Sequence, residues 1–188
     1  VRPDEPPFEC IWSEDFEAIW GPWIQYSEGG NPGKWWGTNQ HMHKCTDDPY
    51  PPYRTCYSSH SAYCYDTDKN VNNPSEDYPP NVSNALIFGP FSTINRTGGQ
   101  IKSFYLNYAR DPDDKLGLLV STDGTNYHGQ WFGRRTSWTK HDIDLSNVPG
   151  LGSALNKPKV WFAVWFKSDG DGEVGEGAYV DDITIRLW

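Results

Sequence analysis

Residues 175–188 read GEGAYVDDITIRLW, a glycine-bounded run that has the text of a closing β-strand except for two adjacent carboxylates, Asp181 and Asp182. Acids are poor strand formers. The two-residue period of a strand puts Tyr179, Asp181, Ile183 and Ile185 on one face, so Asp181 is expected on the apolar side and Asp182 on the opposite one. A carboxylate facing a core needs a metal ion, an Arg or a set of backbone N–H groups, because an isolated buried anion costs several kcal/mol. A second acidic knot, Glu14, Asp15 and Glu17 in SEDFE (13–17), lies near the other end of the chain and could complete a cation site with it.

The same alternation recurs upstream. ALIFGPFST (85–93), GGQIKSFYLNYAR (98–110), KLGLLVSTDG (115–124), TSWTKHDIDL (136–145) and KVWFAVWFKS (159–168) carry Val, Ile, Phe, Tyr or Trp at every second position. Each is bounded by Gly, Pro, Asp or Asn, the pattern of strands and turns. In 159–168 Val160, Phe162, Val164 and Phe166 point one way, and Trp161, Ala163 and Trp165 the other. Both faces are apolar, which describes a central strand covered on both sides or one whose second side is a ligand surface. No segment keeps a 3.6-residue period, so little or no helix is expected. Many short strands in a chain of this length imply an all-β sandwich of two packed antiparallel sheets with long loops.

Residues 1–9, VRPDEPPFE, are proline-rich and read as an extended arm, and residues 10–188 as one domain. Between 39 and 80 the chain is polar and broken by Pro49, Pro51, Pro52, Pro74, Pro79 and Pro80. Long loops of this kind are functional or tied down. Cys10, Cys45, Cys56 and Cys64 supply two disulfides for that purpose, since none shows the spacing of a zinc site. Disulfides imply an oxidising compartment, and a start at Val1 fits a mature chain whose signal has been removed, so an extracellular or cell-surface location is expected. Asn81 in NVS and Asn95 in NRT match the glycosylation acceptor pattern.

The net charge of -9, from 16 basic and 25 acidic residues, argues against nucleic acid as a partner. No apolar run is long enough for membrane insertion. The chain holds 10 Trp and 11 Tyr, large rings that fill cores and also suit binding surfaces. Trp35, Trp36, Tyr50, Tyr53, Trp131 and Trp138 fall in loops or at strand ends and are candidate platforms for sugar rings. Among the histidines, His41, His43, His60, His128 and His141, only His41 and His43 have a spacing that could share a metal, and no third ligand accompanies them. No nucleophile elbow, H-E-x-x-H or phosphate loop is present, so the chain reads as no enzyme. Asp169, Asp171 and Glu173 in DGDGE resemble part of a calcium loop without its distal Glu or its helices.

Taken in order, SEDFE, SSHSAYCYDTD (58–68), NALIFGPFS (84–92), IKSFYLNYAR (101–110), LLVSTDGTNY (118–127), SWTKHDIDLS (137–146) and VWFAVWFKSDGDGEVGEGAYVDDITI (160–185) resemble the jelly-roll domain of the MAM type. They are also similar to the domains that follow the catalytic region of secreted proteases such as immune inhibitor A. The resemblance implies terminal strands that lie side by side and a structural Ca2+ held by acids of the first and last motifs. Carried over by position, the ligands would be Asp15, Glu17, Asp181 and Asp182, with Asp66 and Asp68 after the SAYCY strand. If the terminal strand and that strand both border the metal, Cys10 would pair with Cys64 and Cys45 with Cys56.

Three functions fit these features. The reading placed first is a calcium-stabilised secreted interaction protein that self-assembles into a homo-oligomer or polymer through its amino-terminal arm, as an extracellular filament or adhesion subunit. A carbohydrate-binding module that takes glycans on its aromatic rings is the alternative, and an accessory domain of a secreted protease is the third.

Overall fold

A computed structural model describes residues 9–16, 22–28, 34–39, 61–66, 78–107, 109, 111–173 and 175–188. Among them all regular structure is strand: β1 (Glu9–Glu14), β2 (Ile24–Ser27), β3 (Lys34–Asn39), β4 (Ser61–Asp66), β5 (Ser83–Phe91), β6 (Gly99–Asn107), β7 (Lys115–Ser121), β8 (His128–Phe132), β9 (Arg135–Asp144), β10 (Val160–Lys167) and β11 (Ala178–Leu187). The strands form two antiparallel sheets. The first has the order β3-β4-β11-β6-β9, with β1 also on β11, and the second has the order β2-β5-β10-β7-β8. The chain passes repeatedly from one sheet to the other, as the all-β jelly-roll reading requires. The Gly-, Pro- and Trp-rich text of residues 21–37, turn-like in composition, contributes the strands β2 and β3. Glu9, expected in the arm, opens β1 and pairs with Leu187. Residues 1–8 of the arm lie outside the described residues.

The core lies between the sheets, where alternate residues of each inner face meet. Leu116, Leu118 and Val120 of β7 and Phe162, Val164 and Phe166 of β10 face Ile101 and Tyr105 of β6 and Val180, Ile183, Ile185 and Leu187 of β11, all of them buried. One end is closed by rings: Trp12 stacks on Phe88 with centroids 3.9 Å apart, and Trp23 packs edge-on against both. Glu14 accepts from the backbone N–H of Phe16 at 3.0 Å and from Trp23 Nε1 at 3.3 Å, so this acid of the first motif is engaged in closing that end.

β11 departs from the simple alternation. Asp181 pairs with Phe104 and Thr184 with Lys102, so β11 spends one residue more than β6 between these pairs. The extra residue is a bulge at Asp182, whose φ of 49° lies in the left-handed region. One inserted residue exchanges the faces. Val180 faces the core before the bulge and Ile183, Ile185 and Leu187 after it, while Tyr179 packs with Leu106 and Trp138 on the outer face. The expectation that Asp181 shares a face with Ile183 and Ile185 is therefore corrected: Asp181 keeps the register of Tyr179, on the side away from the core.

A left-handed conformation costs a residue with a Cβ about 1–2 kcal/mol, and more when it is β-branched. Asp182→Val is expected to lower unfolding stability by at least about 1 kcal/mol, read as a lower urea midpoint at unchanged slope. An unchanged midpoint would show that the bulge does not depend on the residue that forms it.

Candidate functional site: an aromatic row across the second sheet

The outer face of the second sheet is built by strand register. Tyr26 of β2 pairs with Ala85 of β5, Ala85 with Trp165 of β10, Trp165 with Gly117 of β7, and Gly117 with Trp131 of β8. Residues directly opposite one another share a face. A single row therefore crosses all five strands in the order large, small, large, small, large. With strands about 4.8 Å apart, the backbones that carry the three rings stand at intervals of about 10 Å, while the rings of Tyr26 and Trp165 themselves meet at 5.5 Å. Tyr26 is 45% exposed and Trp131 40%, and Ile24 one row on is 55% exposed.

Each ring is held in place. Trp165 sits between Tyr26 and Tyr127, both edge-on, at 5.5 and 5.8 Å. Its Nε1 donates to Ser83 Oγ at 3.1 Å, and that hydroxyl donates to Glu28 Oε2 at 2.9 Å. Lys167 Nζ lies 3.2 Å from the same Glu28 oxygen, 5.1 Å from the centre of Trp165 and 5.8 Å from that of Trp131. The Ser83 hydroxyl, then the Lys167 ammonium, hold the Glu28 carboxyl below its ordinary value. Trp131 lies across Gly117: a Cβ there would stand 2.9 Å from ring atoms of Trp131, so only glycine lets the indole settle on the sheet. Trp161 packs beside the β7–β8 turn, where a Cβ in place of the Gly124 hydrogen (φ 76°) would stand 3.2 Å from the indole. Asp123 organises that turn by accepting from the side chain and backbone of Asn126, from Thr125 N and from Ser121 Oγ, and these bonds hold its carboxyl well below the usual range. Beneath the rings Ala85, Ile87, Leu119 and Ala163 are buried.

The expected sites are distributed differently. Of the candidate sugar platforms, Trp131 belongs to this row. Trp36 does not: it is 2% exposed, a core residue whose Nε1 donates to the Asn84 carbonyl at 3.3 Å. Trp138 lies on the outer face of the other sheet with Leu106 and Tyr179. Trp35 has its backbone in β3, with its side chain outside the described residues, as are Tyr50 and Tyr53. Tyr26, Tyr127, Trp161 and Trp165, with Glu28 and Lys167, were missed as site residues. The apolar second face of residues 159–168 was the signal for Trp161 and Trp165, whereas the others join them only through strand pairing.

Terminal strands do lie side by side, with Glu14 opposite Ile183. Asp15 is exposed and Asp181 and Asp182 are buried, and Asp182 N donates to Asp181 Oδ1 at 2.7 Å. Asp66 is not part of that neighbourhood. With Ala62 opposite Val180, β4 sets Asp66 some six positions along β11 from Asp182, about 20 Å away, so these two acids cannot share one ion. Glu17 and Asp68 lie outside the described residues. Among the described residues the acids that come close enough to share a cation are instead Asp111, Asp169 and Asp171, a donor set that suits a hard ion but that surfaces often carry without one. The same register corrects the disulfide pairing. Cys10 lies opposite Arg186, whereas Cys64 follows Tyr63, the partner of Tyr179, so eight positions of β11 (about 26 Å) separate them. A disulfide spans less than 7 Å between Cα atoms, and Cys10 is a free, exposed thiol. Cys45, Cys56, His41, His43 and His60 lie outside the described residues. Asn81 and Asn95 are exposed, each with a φ of 60°.

Neither a protein family nor a curated protein matches this chain in sequence. Solved structures do match it in fold. A cleaved adhesin domain of Lys-gingipain from Porphyromonas gingivalis superposes with a TM-score of 0.57 at 15% identity, over 96% of this chain and 98% of that one. The family 11 carbohydrate-binding module of the cellulosomal cellulase Lic26A-Cel5E of Clostridium thermocellum gives 0.51 at 12% identity, over 96% and 94%. The CBM22-1 and GH10 modules of xylanase 10B of the same organism, complexed with xylohexaose, give 0.53 at 10% identity, over 95% of this chain and 28% of that one. At these identities the likeness is one of fold: a β-sandwich shared with adhesin and carbohydrate-binding domains. No described helix is long and apolar enough to cross a membrane.

Two outcomes test this geometry. Gly117→Ala is expected to displace the Trp131 ring, shifting its indole N–H signal in a nitrogen-edited spectrum while the far-ultraviolet circular dichroism stays that of the wild type. The second concerns Asp114, a buried acid that accepts from the Tyr78 hydroxyl and from Asp169 N beside the acidic trio. Burial raises its carboxyl above the ordinary value, against the lowering effect of those bonds. A carboxyl raised in the folded state contributes most to stability below its unfolded value, and the contribution is lost as pH rises through the folded one. The stability of the wild type relative to Asp114→Asn is expected to fall as pH rises from below about 4, in urea titrations of both proteins. A difference independent of pH would exclude the assignment.

Proposed function

We propose that the chain is a non-catalytic extracellular carbohydrate-binding module, and that sugars dock on the outer face of its five-stranded sheet. The supporting observation is the row Tyr26–Ala85–Trp165–Gly117–Trp131, with exposed rings at both ends and a polar group at its side. Aromatic faces suit the C–H faces of sugars, and convergent polar groups set orientation. Glu28 and Ser83 offer acceptors and Lys167 a donor beside the rings, so hydroxyls of a sugar stacked on Trp165 fall within reach of all three. Solved sandwiches that resemble this chain include carbohydrate-binding modules, which adds support without identifying the ligand.

Self-assembly through residues 1–8 has no comparable support, because that arm lies outside the described residues. A second reading, an adhesion domain that docks on another protein, draws on the gingipain adhesin likeness and would use the same exposed rings. It differs in its partner.

A panel of immobilised glycans and soluble polysaccharides separates the two. Binding is expected for the wild type, and Trp165→Ala or Trp131→Ala is expected to weaken it by on the order of 30-fold, which corresponds to about 2 kcal/mol for truncating a central ring. Unchanged binding in both variants would set this face aside as the site, and no glycan bound at all would set the carbohydrate reading aside in favour of the protein partner.

A further inference from the structure

We infer, on the carbohydrate reading above, that the aromatic row accepts a single uncharged polysaccharide chain laid across the strands, and neither a polyanionic glycan nor a flat crystalline surface. Orientation comes from the register: the rings belong to β2, β10 and β8, so the row runs perpendicular to the strands and spans about 19 Å, four interstrand steps. Tyr26 and Trp165, on either side of Ala85, meet edge-on at 5.5 Å, and Trp131 lies across Gly117, so the small residues let the rings form one nearly continuous strip. A chain laid along that strip meets the three rings one after another, whereas a lone sugar covers only part of it.

Twist sets the physical state of the ligand. Adjacent strands turn by about 20–25°, so rings on alternate strands follow a surface that has turned by about 40–50° between them. A separate chain in solution can turn with that surface by rotation at its linkages. A crystal face is plane and can touch only part of it.

Charge selects against acidic glycans. The row flanking the rings contains Glu28, Ser83, Lys167 and Lys115, and its cations are already engaged: Lys167 with Glu28 at 3.2 Å and Lys115 with Asp113 at 3.4 Å. Exposed pairs of this kind are individually weak. Even so, a uronate or sulfate that drew Lys167 to itself would leave the Glu28 carboxylate beside the incoming anion, and the attraction gained would be offset by repulsion. The chain as a whole carries a charge of -9, which disfavours the approach of any polyanion at low salt. A neutral chain meets neither cost and can use Glu28 and Ser83 as hydroxyl acceptors.

The test uses the full 188-residue chain in native electrophoresis through gels holding soluble xylan, mixed-linkage β-glucan or galactan as neutral probes, and polygalacturonate or heparin as polyanions. Sedimentation with microcrystalline cellulose probes the flat surface, and titration with oligomers from two to six sugars probes the span. At least one neutral polymer is expected to retard the protein, with affinity rising about tenfold or more from disaccharide to hexasaccharide as successive rings are engaged. Retardation is expected to be similar at low and high salt. Trp165→Ala is expected to weaken it on the order of 30-fold and the edge-strand variant Tyr26→Ala about tenfold, while Ile94→Ala, at an exposed turn away from the sheet face, leaves it unchanged. Comparable binding to a polyanion or to cellulose crystals, or full affinity for a disaccharide, would overturn the inference and leave the carbohydrate reading standing. Absence of retardation by every polymer would overturn both.

Discussion

Backbone pairing along β11 is the constraint on which the first sheet depends. One edge of this last strand is taken by β6 along its length, and the other is divided between β4 and β1, so β11 joins segments from both ends and the middle of the sequence. The inserted residue at Asp182 decides what that pairing buries. Without it Ile183, Ile185 and Leu187 would continue the register of Asp181 and leave the core, and three large apolar groups would be lost from the interior at about 1.5–3 kcal/mol each. The paired acids mark a change of face within the strand, and backbone hydrogen bonding to β1 joins the terminal strands directly.

Much of the architecture was legible because burial writes itself into alternation. Phe162, Val164 and Phe166 were read as one face of β10 and occupy the core, while Trp161, Ala163 and Trp165 were read as the other and lie on the outer surface. Two packed antiparallel sheets follow from strands of this kind. Alternation fails where the backbone leaves the extended region, and nothing in the text DDIT announces that Asp182 takes a left-handed conformation. Trp36 shows a second limit. Its surroundings in the sequence are turn-like, yet its indole finds the Asn84 carbonyl and is buried, an outcome set by β3 and β5 approaching from distant parts of the chain.

The candidate site was only partly readable for the same reason. Trp131 was singled out by its type, but its neighbours Tyr26 and Trp165 come from β2 and β10, and no local pattern states that these strands align in one row. Small residues matter as much as rings in that row. Ala85 leaves room for Tyr26 and Trp165 to meet edge-on at 5.5 Å, and the missing side chain at 117 lets Trp131 lie down on the sheet. The cysteine pairing failed through topology: β1 and β4 both border β11, but at different heights on the same edge, and proximity to a common strand is not proximity to each other.

The divided edge of β11 also bears on how the chain reaches its native state. β1 precedes the other described strands in the chain and its partner β11 follows them, so during synthesis β1 cannot dock until β11 has emerged. Contacts of such wide sequence separation are slow to form, since loop closure must come before the pairing that rewards it. Closure of the first sheet thus waits for β11, and until then β1 is an unpaired edge that its six-residue length keeps short.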